Sequence, residues 1–176
     1  MDLQRFTQKS QEALMEAQNE ALRRGHQATD SEHLLLSLLL QENGLIPRLL
    51  EREGISPQGL IQEVERDLAK RPRVSGGGAE AGRIVLTPRL SKLLVEAEDE
   101  AKRMKDDYVS VEHLFLRLLE EGDQTGTGRI LRTFRIDRNR FLASLAEVRG
   151  NQRVTSASPE ETYEALEKYG RDLVRM

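Results

Sequence analysis

The sequence of 176 residues contains no cysteine and no tryptophan, and only four phenylalanines and three tyrosines. Without cysteine the chain has no disulfides and no thiolate chemistry, which agrees with a reducing compartment. Because aromatic residues are so few, we expect a core filled by aliphatic side chains and packed from helices.

Long apolar runs and an excess of positive charge are also missing. No stretch approaches the ~18 apolar residues of a membrane span, and the first residues have no apolar signal core. The formal net charge is −3, whereas a nucleic-acid-binding domain carries clustered lysine and arginine. We therefore expect a cytoplasmic domain that binds neither membrane nor nucleic acid.

The sequence does contain an internal duplication. Residues 31–39, SEHLLLSLL, return eighty positions later as VEHLFLRLL at 111–119. The same offset holds for Thr7 and Thr87, Leu14 and Leu94, Glu16 and Glu96, and, after a slip of one residue, for Leu50 and Leu131. Such repeats define an architecture, so each copy is expected to form one structural unit.

Helical spacing predicts four helices in each copy, in the order long, central, short and medium. In the first copy they are expected at Leu3 to about Arg24, Glu32 to about Gln41, Leu45 to Arg52 and Pro57 to about Lys70. In the second copy they are expected at Pro88 to about Lys105, Val111 to about Glu120, Gly128 to Phe134 and Asp137 to about Val148. The predicted fold is all-α, an eight-helix pseudo-two-fold domain made of two four-helix repeats.

The remaining segments are polar or glycine-rich. Repeat one (1–70) and repeat two (86–150) are joined by a linker over 71–85, which contains three consecutive glycines. Residues 151–176 begin as a second polar linker and continue as a helix from Pro159 that belongs to neither repeat. Because that helix ends without a stop signal, we expect the chain to be the front of a longer protein.

Neither the histidines nor the glycine clusters predict a metal or phosphate site. Glu32 and His33 are neighbours on a helix and point about 100° apart, and His26 has no counterpart in the second copy. Residues 122–128 lack the Gly-Lys-[Ser/Thr] ending of a phosphate loop and a preceding strand. We expect His33 and His113 to satisfy free amides at the starts of the central helices or to pack beneath the first helix, and we expect no metal or cofactor.

A hydroxyl and a carboxylate recur at matching places in both repeats. Thr7 with Glu32, and Thr87 with Glu112, are expected to form one pocket in each half beside a helix N-terminus. Helix amides favour anionic groups and a carboxylate favours cationic ones, so such a pocket suits a zwitterionic or basic ligand. No nucleophile–base pair or carboxylate dyad is found, so we expect no enzymatic activity.

The doubled Thr…Glu-Ala…Glu-His-Leu-Leu-Leu pattern resembles the Clp N-terminal domain, which precedes the ATPase modules of the Clp/heat-shock family of AAA+ unfoldases. The tail Thr-Tyr-Glu-Ala-Leu-Glu-Lys-Tyr-Gly-Arg-Asp-Leu at 162–173 resembles the segment that joins this domain to the first ATPase module in the ClpB branch. The resemblance covers essentially the whole chain. It implies an N-terminal domain at 1–150 and a linker toward that ATPase module at 151–176.

The resemblance implies a domain tethered to a hexameric ATP-driven ring. Such a domain catches unfolded or aggregated polypeptide and passes it to the ring pore, in cooperation with a DnaK-type chaperone system. ATP and magnesium would then belong to the parent protein. The family residues for this role fall on Thr7, Asp106 and Glu112.

A groove between the two halves is expected to hold extended apolar segments weakly, because ordering a disordered client costs free energy. Its expected lining is Phe6, Leu86, Leu90 and Tyr108, and the alternative is that these apolar residues only fill the core.

Two other functions stay open. The stretch Glu-Ala-Leu-Arg-Arg-Gly-His at 20–26 resembles the protease-linked ClpC branch, in which the Thr/Glu pairs would be phosphoarginine pockets or the domain would bind adaptor proteins. The chain departs from that branch at Ser31 and Val111, where threonine is usual. A helical repeat that only stabilises ring assembly is the third reading.

Overall fold

The computed structural model describes residues 3–73, 85–150 and 153–160, and these residues form eight α-helices. The helices are α1 (Gln8–Arg23), α2 (Ser31–Leu40), α3 (Leu45–Arg52), α4 (Pro57–Ala69), α5 (Pro88–Arg103), α6 (Val111–Leu119), α7 (Gly126–Thr133) and α8 (Arg138–Arg149). A 3-10 helix (Leu3–Arg5) and two-residue strands β1 (Ala28–Thr29) and β2 (Val85–Leu86) complete the described elements. The predicted all-α fold of two four-helix repeats is confirmed.

The central helices α2 and α6 form the middle of the core. Every residue of α2 except Leu40 is buried, as its all-round apolar sequence predicts. In α6 the ring of Phe115 packs against Phe141 of α8, with ring centroids 4.7 Å apart. The other helices each turn one apolar face toward these two, and the core is continuous across both repeats.

The repeats are related by a pseudo-two-fold axis that is visible in the backbone pairing. Strands β1 and β2 are parallel, with Thr29 of repeat one opposite Leu86 of repeat two. A parallel bridge joins Phe6 of repeat one to Val109 of repeat two. The eighty-residue offset relates Phe6 to Leu86 and Thr29 to Val109. The two pairings are therefore equivalent, with the roles of repeat one and repeat two interchanged.

The same exchange continues in the hydrogen bonds that follow the pairings. The Thr87 amide donates to the Thr29 carbonyl oxygen, and the Thr7 amide donates to the Val109 carbonyl oxygen, both at 2.9 Å. The start of each repeat's long helix therefore lies against the start of the other repeat's central helix.

The helix boundaries differ from the sequence predictions at three places. Thr7 was expected inside the first helix but is the N-cap of α1, where its hydroxyl accepts the Ser10 amide. Helix α2 starts at Ser31, one residue before the expected Glu32, because Asp30 is its N-cap and forms a capping box with His33. Helix α7 starts at Gly126, two residues early, because Thr125 caps it.

Close packing explains one of the glycines that look like a phosphate loop. A Cβ atom on Gly128 would collide with the backbone of Gly122, so the start of α7 can lie against the preceding turn only without a side chain there. This glycine cluster therefore serves helix packing.

The segments predicted as linkers are partly packed on the domain. Val85 lies in β2, and Arg71 makes ion pairs with the start of α2. Residues 153–160, which we call the strap, lie across the start of α6, with Val154 fully buried. Residues 74–84 of the first linker and the tail 161–176, where a helix is predicted, lie outside the described residues. Within the described ranges, no helix has the length and apolar character that a membrane crossing requires.

Candidate functional site

Two polar clusters lie where the segment before the long helix of one repeat pairs with the segment before the central helix of the other repeat. Site one, at the start of α2, consists of Asp30, Glu32, Arg71, Thr87, Arg89, Glu121 and Thr127. Site two, at the start of α6, consists of Thr7, Ser10, Asp106, Glu112, Arg149 and Glu160. Each cluster draws side chains from both repeats.

In site one the Glu32 carboxylate is fully buried and fully paired. It accepts the Thr127 amide at 2.9 Å and the Thr127 hydroxyl at 2.6 Å. It also accepts Nη2 of Arg89 at 2.9 Å and forms an ion pair with Arg71. The protein's own guanidinium groups therefore already occupy this carboxylate.

Asp30 is the second anchor of site one. Its carboxylate accepts the Thr87 hydroxyl at 2.8 Å and the Ser31 amide at 2.9 Å. Arg89 lies 2.6 Å from it through Nη2, and Arg71 lies 3.2 Å from it. Thr87 is thus held beside the acidic residues of repeat one.

The pKa values in site one follow from this pairing. Burial opposes ionisation of Asp30, but the hydrogen bonds from Arg89 and Ser31 outweigh it and lower its pKa to about 2. Burial also opposes ionisation of Glu32, but the Thr127 hydrogen bonds and the charges of Arg89 and Arg71 lower its pKa. Burial raises the pKa of Glu121, although Ser31 and Arg89 contact that carboxylate. Site one is therefore a closed network of three carboxylates and two arginines.

Site two is organised by Arg149 of α8, which is 5% exposed. Its Nη2 lies 2.5 Å from Oδ1 of Asp106, and its Nη1 lies 3.6 Å from Oε2 of Glu112. Oδ2 of Asp106 lies 2.7 Å from Nε2 of His113. Burial opposes ionisation of Asp106, but these partners lower its pKa to about 2. One arginine therefore faces two buried carboxylates.

Glu112 is the exception in this otherwise paired cluster. It is fully buried, and neither carboxylate oxygen has a hydrogen-bond partner among the described residues. Its nearest cation is the Arg149 group at 3.6 Å. A buried acceptor without a hydrogen bond costs free energy, so Glu112 has unused capacity to accept donors from a ligand.

The strap covers site two through backbone and side-chain bonds. The Val154 amide donates to Asp106 at 2.9 Å, the Asp107 amide donates to the Val154 carbonyl at 2.8 Å, and the Gln8 amide donates to the Ala157 carbonyl at 2.8 Å. Two of these three bonds use strap carbonyl oxygens that any extended peptide possesses. The strap, which bends at 156–157 and becomes helical at 159–160, therefore shows that backbone carbonyls of a chain segment can bind across this surface.

Glu160 closes the strap over Thr7. The Thr7 hydroxyl donates to Oε2 of Glu160 at 2.7 Å, and Glu160 is buried. Burial, together with the nearby Glu112 carboxylate, raises the pKa of Glu160 to about 7. Site two thus holds a carboxyl group that changes its charge near neutral pH.

The predicted grouping of site residues is corrected in one respect. Thr7 and Glu32 were expected in one pocket, and Thr87 and Glu112 in another, each within a repeat. The structure instead places Thr87 in site one with Glu32, and Thr7 in site two with Glu112 and Asp106. The physical reason is that the start of each repeat's long helix, which carries the threonine, packs against the start of the other repeat's central helix, which carries the glutamate.

The predicted apolar groove is also different from what the structure shows. Phe6 and Leu90 are fully buried members of the core, so they line no open groove. Leu86 and Tyr108 are half-buried. The predicted apolar lining is therefore wrong for Phe6 and Leu90, and the alternative that they fill the core is confirmed for these two residues.

The histidine prediction is confirmed. Nδ1 of His33 accepts the Asp30 amide at 2.9 Å, and Nδ1 of His113 accepts the Ser110 amide at 2.8 Å. Both rings therefore satisfy free amides at the starts of the central helices.

Sequence reasoning missed the second partner of each histidine ring. Nε2 of His33 lies 2.8 Å from Nδ1 of His26, and His113 has Asp106 in that place. The eighty-residue offset relates His26 to Asp106, so aligning the copies at this position would have found the pair. Groups of three or more His, Asp or Glu residues arranged to hold a metal ion do not occur within the described ranges.

Comparisons with known proteins agree with this architecture. A family model described as the Clp repeat (R) N-terminal domain matches residues 5–134, which is well over half of the chain. The chaperone protein ClpB of Nitratidesulfovibrio vulgaris is 57% identical over 174 residues, which cover 99% of this chain and 20% of that protein. The ClpB of Bacillus anthracis is 49% identical over 175 residues, with the same coverage. The chain thus spans about a fifth of the length of these relatives.

Solved structures share the fold at low sequence identity. The Hsp104 N-terminal domain from Candida albicans has a TM-score of 0.75 and 22% identity, covering 88% of this chain and 98% of that chain. A complex of the ClpV N-domain with a VipB peptide has a TM-score of 0.63 and 20% identity, covering 82% and 86%. Because the family model matches most of the chain, the chain belongs to the Clp repeat N-terminal domain family, and the two sequence relatives described above are ClpB chaperones.

Proposed function

We propose that this chain is the substrate-recruiting N-terminal domain of a ClpB-type disaggregase. The domain binds unfolded or aggregated polypeptide weakly and delivers it to the pore of a hexameric AAA+ ring, which acts with a DnaK-type chaperone system in the cytoplasm. The domain itself hydrolyses no ATP and needs no cofactor, because ATP and magnesium serve the ATPase modules of the parent protein. Several domains on one ring compensate for weak binding through avidity.

The observation that carries this proposal is the composition of site two. Thr7, Asp106 and Glu112, the residues that the family resemblance implies, lie together under one segment of chain, the strap. Glu112 has unused acceptors, and the strap uses backbone carbonyls, so a client of any sequence can offer equivalent contacts. An extended client that replaces the strap fits a domain that receives many different polypeptides.

Releasing the strap is expected to strengthen client binding. In the variant Val154→Asp, a charge replaces a fully buried side chain next to Asp106, which expels the strap. We expect binding of fluorescein-labelled, reduced and carboxymethylated α-lactalbumin to tighten by about tenfold, which corresponds to about 1.4 kcal/mol. Fluorescence anisotropy measures the affinity.

The matched control is Thr155→Asp, which places the same charge on the exposed neighbouring residue. It is expected to bind like the wild type, and native α-lactalbumin is expected to bind to none of the three proteins. Equal affinities for Val154→Asp and Thr155→Asp, or no preference for the unfolded chain, would contradict the proposal.

The second candidate function is binding of phosphoarginine or of an adaptor protein, as in the protease-linked branch, and one observation favours it. Glu32 accepts guanidinium groups, but they belong to Arg71 and Arg89 of the same chain. A phosphoarginine ligand must displace them, so we expect free phosphoarginine to bind no tighter than phosphate in calorimetry. Tight binding that is lost in both Glu32→Ala and Glu112→Ala would favour the second candidate instead.

A further inference from the structure

A cleft of about 330 Å³ lies between α1 and α2, away from both sites, and we call it the first cleft. Its walls include Glu12, Glu16, Glu20, Leu36, Ser37 and Leu40. A second cleft, of about 230 Å³, lies at the equivalent place between α5 and α6. The two repeats therefore offer an internal comparison of one surface with two different side-chain sets.

The second cleft is narrowed by an arginine of its own chain. Arg117 projects into it from α6, and its guanidinium forms an ion pair with Glu96 of α5. The eighty-residue offset relates Arg117 to Ser37 and Glu96 to Glu16. The first cleft therefore keeps the carboxylate but lacks the arginine, and the small Ser37 side chain leaves the space open.

The first cleft is also more negatively charged than the second. The first cleft has four carboxylates and two cations, giving −2, and these groups are Lys9, Glu12, Glu16, Glu20, Arg23 and Glu42. The second cleft has three of each and is neutral, with Arg89, Lys92, Glu96, Arg117, Glu120 and Glu121. The first cleft is thus complementary to a cationic group.

Glu16 is available to such a group. It is half-exposed, and its contacts are Asn19 at 3.3 Å and Arg23 at 3.7 Å, both longer than a charge-assisted bond. At the rim, Leu40 is 54% exposed, whereas the equivalent residue in repeat two is Glu120. An exposed leucine beside an open acidic cleft favours a ligand that has an apolar side chain next to its cation.

We infer that the first cleft binds a polypeptide segment in which an arginine is adjacent to an aliphatic residue. The arginine enters the cleft as Arg117 enters its counterpart and pairs with Glu16, while the aliphatic side chain covers Leu40. Arginine is favoured over lysine because its planar fork binds a carboxylate through two parallel hydrogen bonds. This inference deepens the proposed function, on which it rests, by naming a second contact surface and its preferred client chemistry.

The test uses fluorescein-labelled decapeptides that carry one Leu-Arg pair in a glycine–serine background. A second peptide has citrulline, which is neutral and nearly the same shape, in place of arginine. We expect the arginine peptide to bind the whole chain at least tenfold more tightly than the citrulline peptide by fluorescence anisotropy. Amide NMR signals of Ser37 and Leu40 are expected to shift with the arginine peptide.

Two variants locate the binding. Ser37→Arg gives repeat one the residue that repeat two already accommodates, so the variant should fold while filling its own cleft, and binding of the arginine peptide should fall at least tenfold. Glu16→Gln changes one exposed carboxyl group and should reduce binding severalfold. The matched control, Glu96→Gln, makes the same change in the second cleft, where Arg117 already pairs with that carboxylate, and should leave peptide binding unchanged.

The outcomes separate this inference from the proposed function. Equal binding of the arginine and citrulline peptides, or unchanged binding in both Ser37→Arg and Glu16→Gln, overturns the cleft inference. If unfolded α-lactalbumin still binds through the strap surface in that case, the proposed function stands. If no unfolded polypeptide binds to the wild type, both are overturned.

Discussion

Replacing Arg149 by methionine is expected to lower the free energy of unfolding by about 3–5 kcal/mol. The substitution keeps most of the side-chain volume but leaves the Asp106 and Glu112 carboxylates buried without their shared cation. Domains of this kind have a total stability of about 5–15 kcal/mol, so the loss is a large part of the whole. Urea unfolding at pH 7, followed by circular dichroism, measures it.

The matched control is Arg132→Met, which removes an exposed arginine paired with Asp123. Exposed ion pairs contribute about 0–1 kcal/mol, so this variant should unfold close to the wild type. Arg149→Lys keeps the charge but loses the planar guanidinium, which can bond two carboxylates at once. Its free energy of unfolding should lie between those of the wild type and Arg149→Met. If Arg149→Met costs no more than Arg132→Met, then Arg149 is not the cation that stabilises site two.

Raising the pH from 5.5 to 8.5 is expected to release the strap. Because the folded-state pKa of Glu160 is about 7, above its ordinary value of 4.5, the docked strap favours the protonated carboxyl. Its contribution is fully present below about pH 4.5 and is lost as the pH rises through about 7. Above that value the ionised carboxylate lies buried beside Glu112, which repels it.

The docking equilibrium can change by at most about tenfold per pH unit, because one proton is involved. NMR signals of the Val154 and Asp107 amides report docking, since both amides form strap hydrogen bonds. Glu160→Gln stays neutral and still accepts the Thr7 hydroxyl, so its strap should remain docked at pH 8.5. Glu147→Gln, an exposed change on α8, should behave like the wild type. Identical pH profiles for the wild type and Glu160→Gln would rule out Glu160 as the titrating group.

Local sequence signals were sufficient for the helices and their order. Proline at the first helical position marks α4 and α5, and Gly25, with a positive φ of 70°, ends the first helix region as expected. The all-round apolar character of residues 34–39 predicted a central helix. These features depend on neighbours in the chain, which the sequence displays directly.

The composition of the two sites could not be predicted in the same way. A repeat offset shows that two segments have similar sequences. It does not show whether a segment contacts its own repeat or the other repeat. The repeat pattern alone therefore paired Thr7 with Glu32, and only the family resemblance grouped Thr7 with Glu112, its neighbour in site two. Arg149 has a leucine, Leu68, at its repeat position, and Glu160 lies outside the repeats, so neither carries a repeat signal. Their roles depend on long-range packing.

The reciprocal hydrogen bonds of Thr7 with Val109 and of Thr87 with Thr29 have a consequence for the origin of the fold. Each copy supplies the other with the contact that it receives, which is the rule for an isologous dimer interface. In a polypeptide with a single copy, the amide before the long helix and the carbonyl before the central helix both lack these partners. Two such polypeptides close the same pair of contacts between them, so the present chain has the geometry of a homodimer whose subunits became covalently joined.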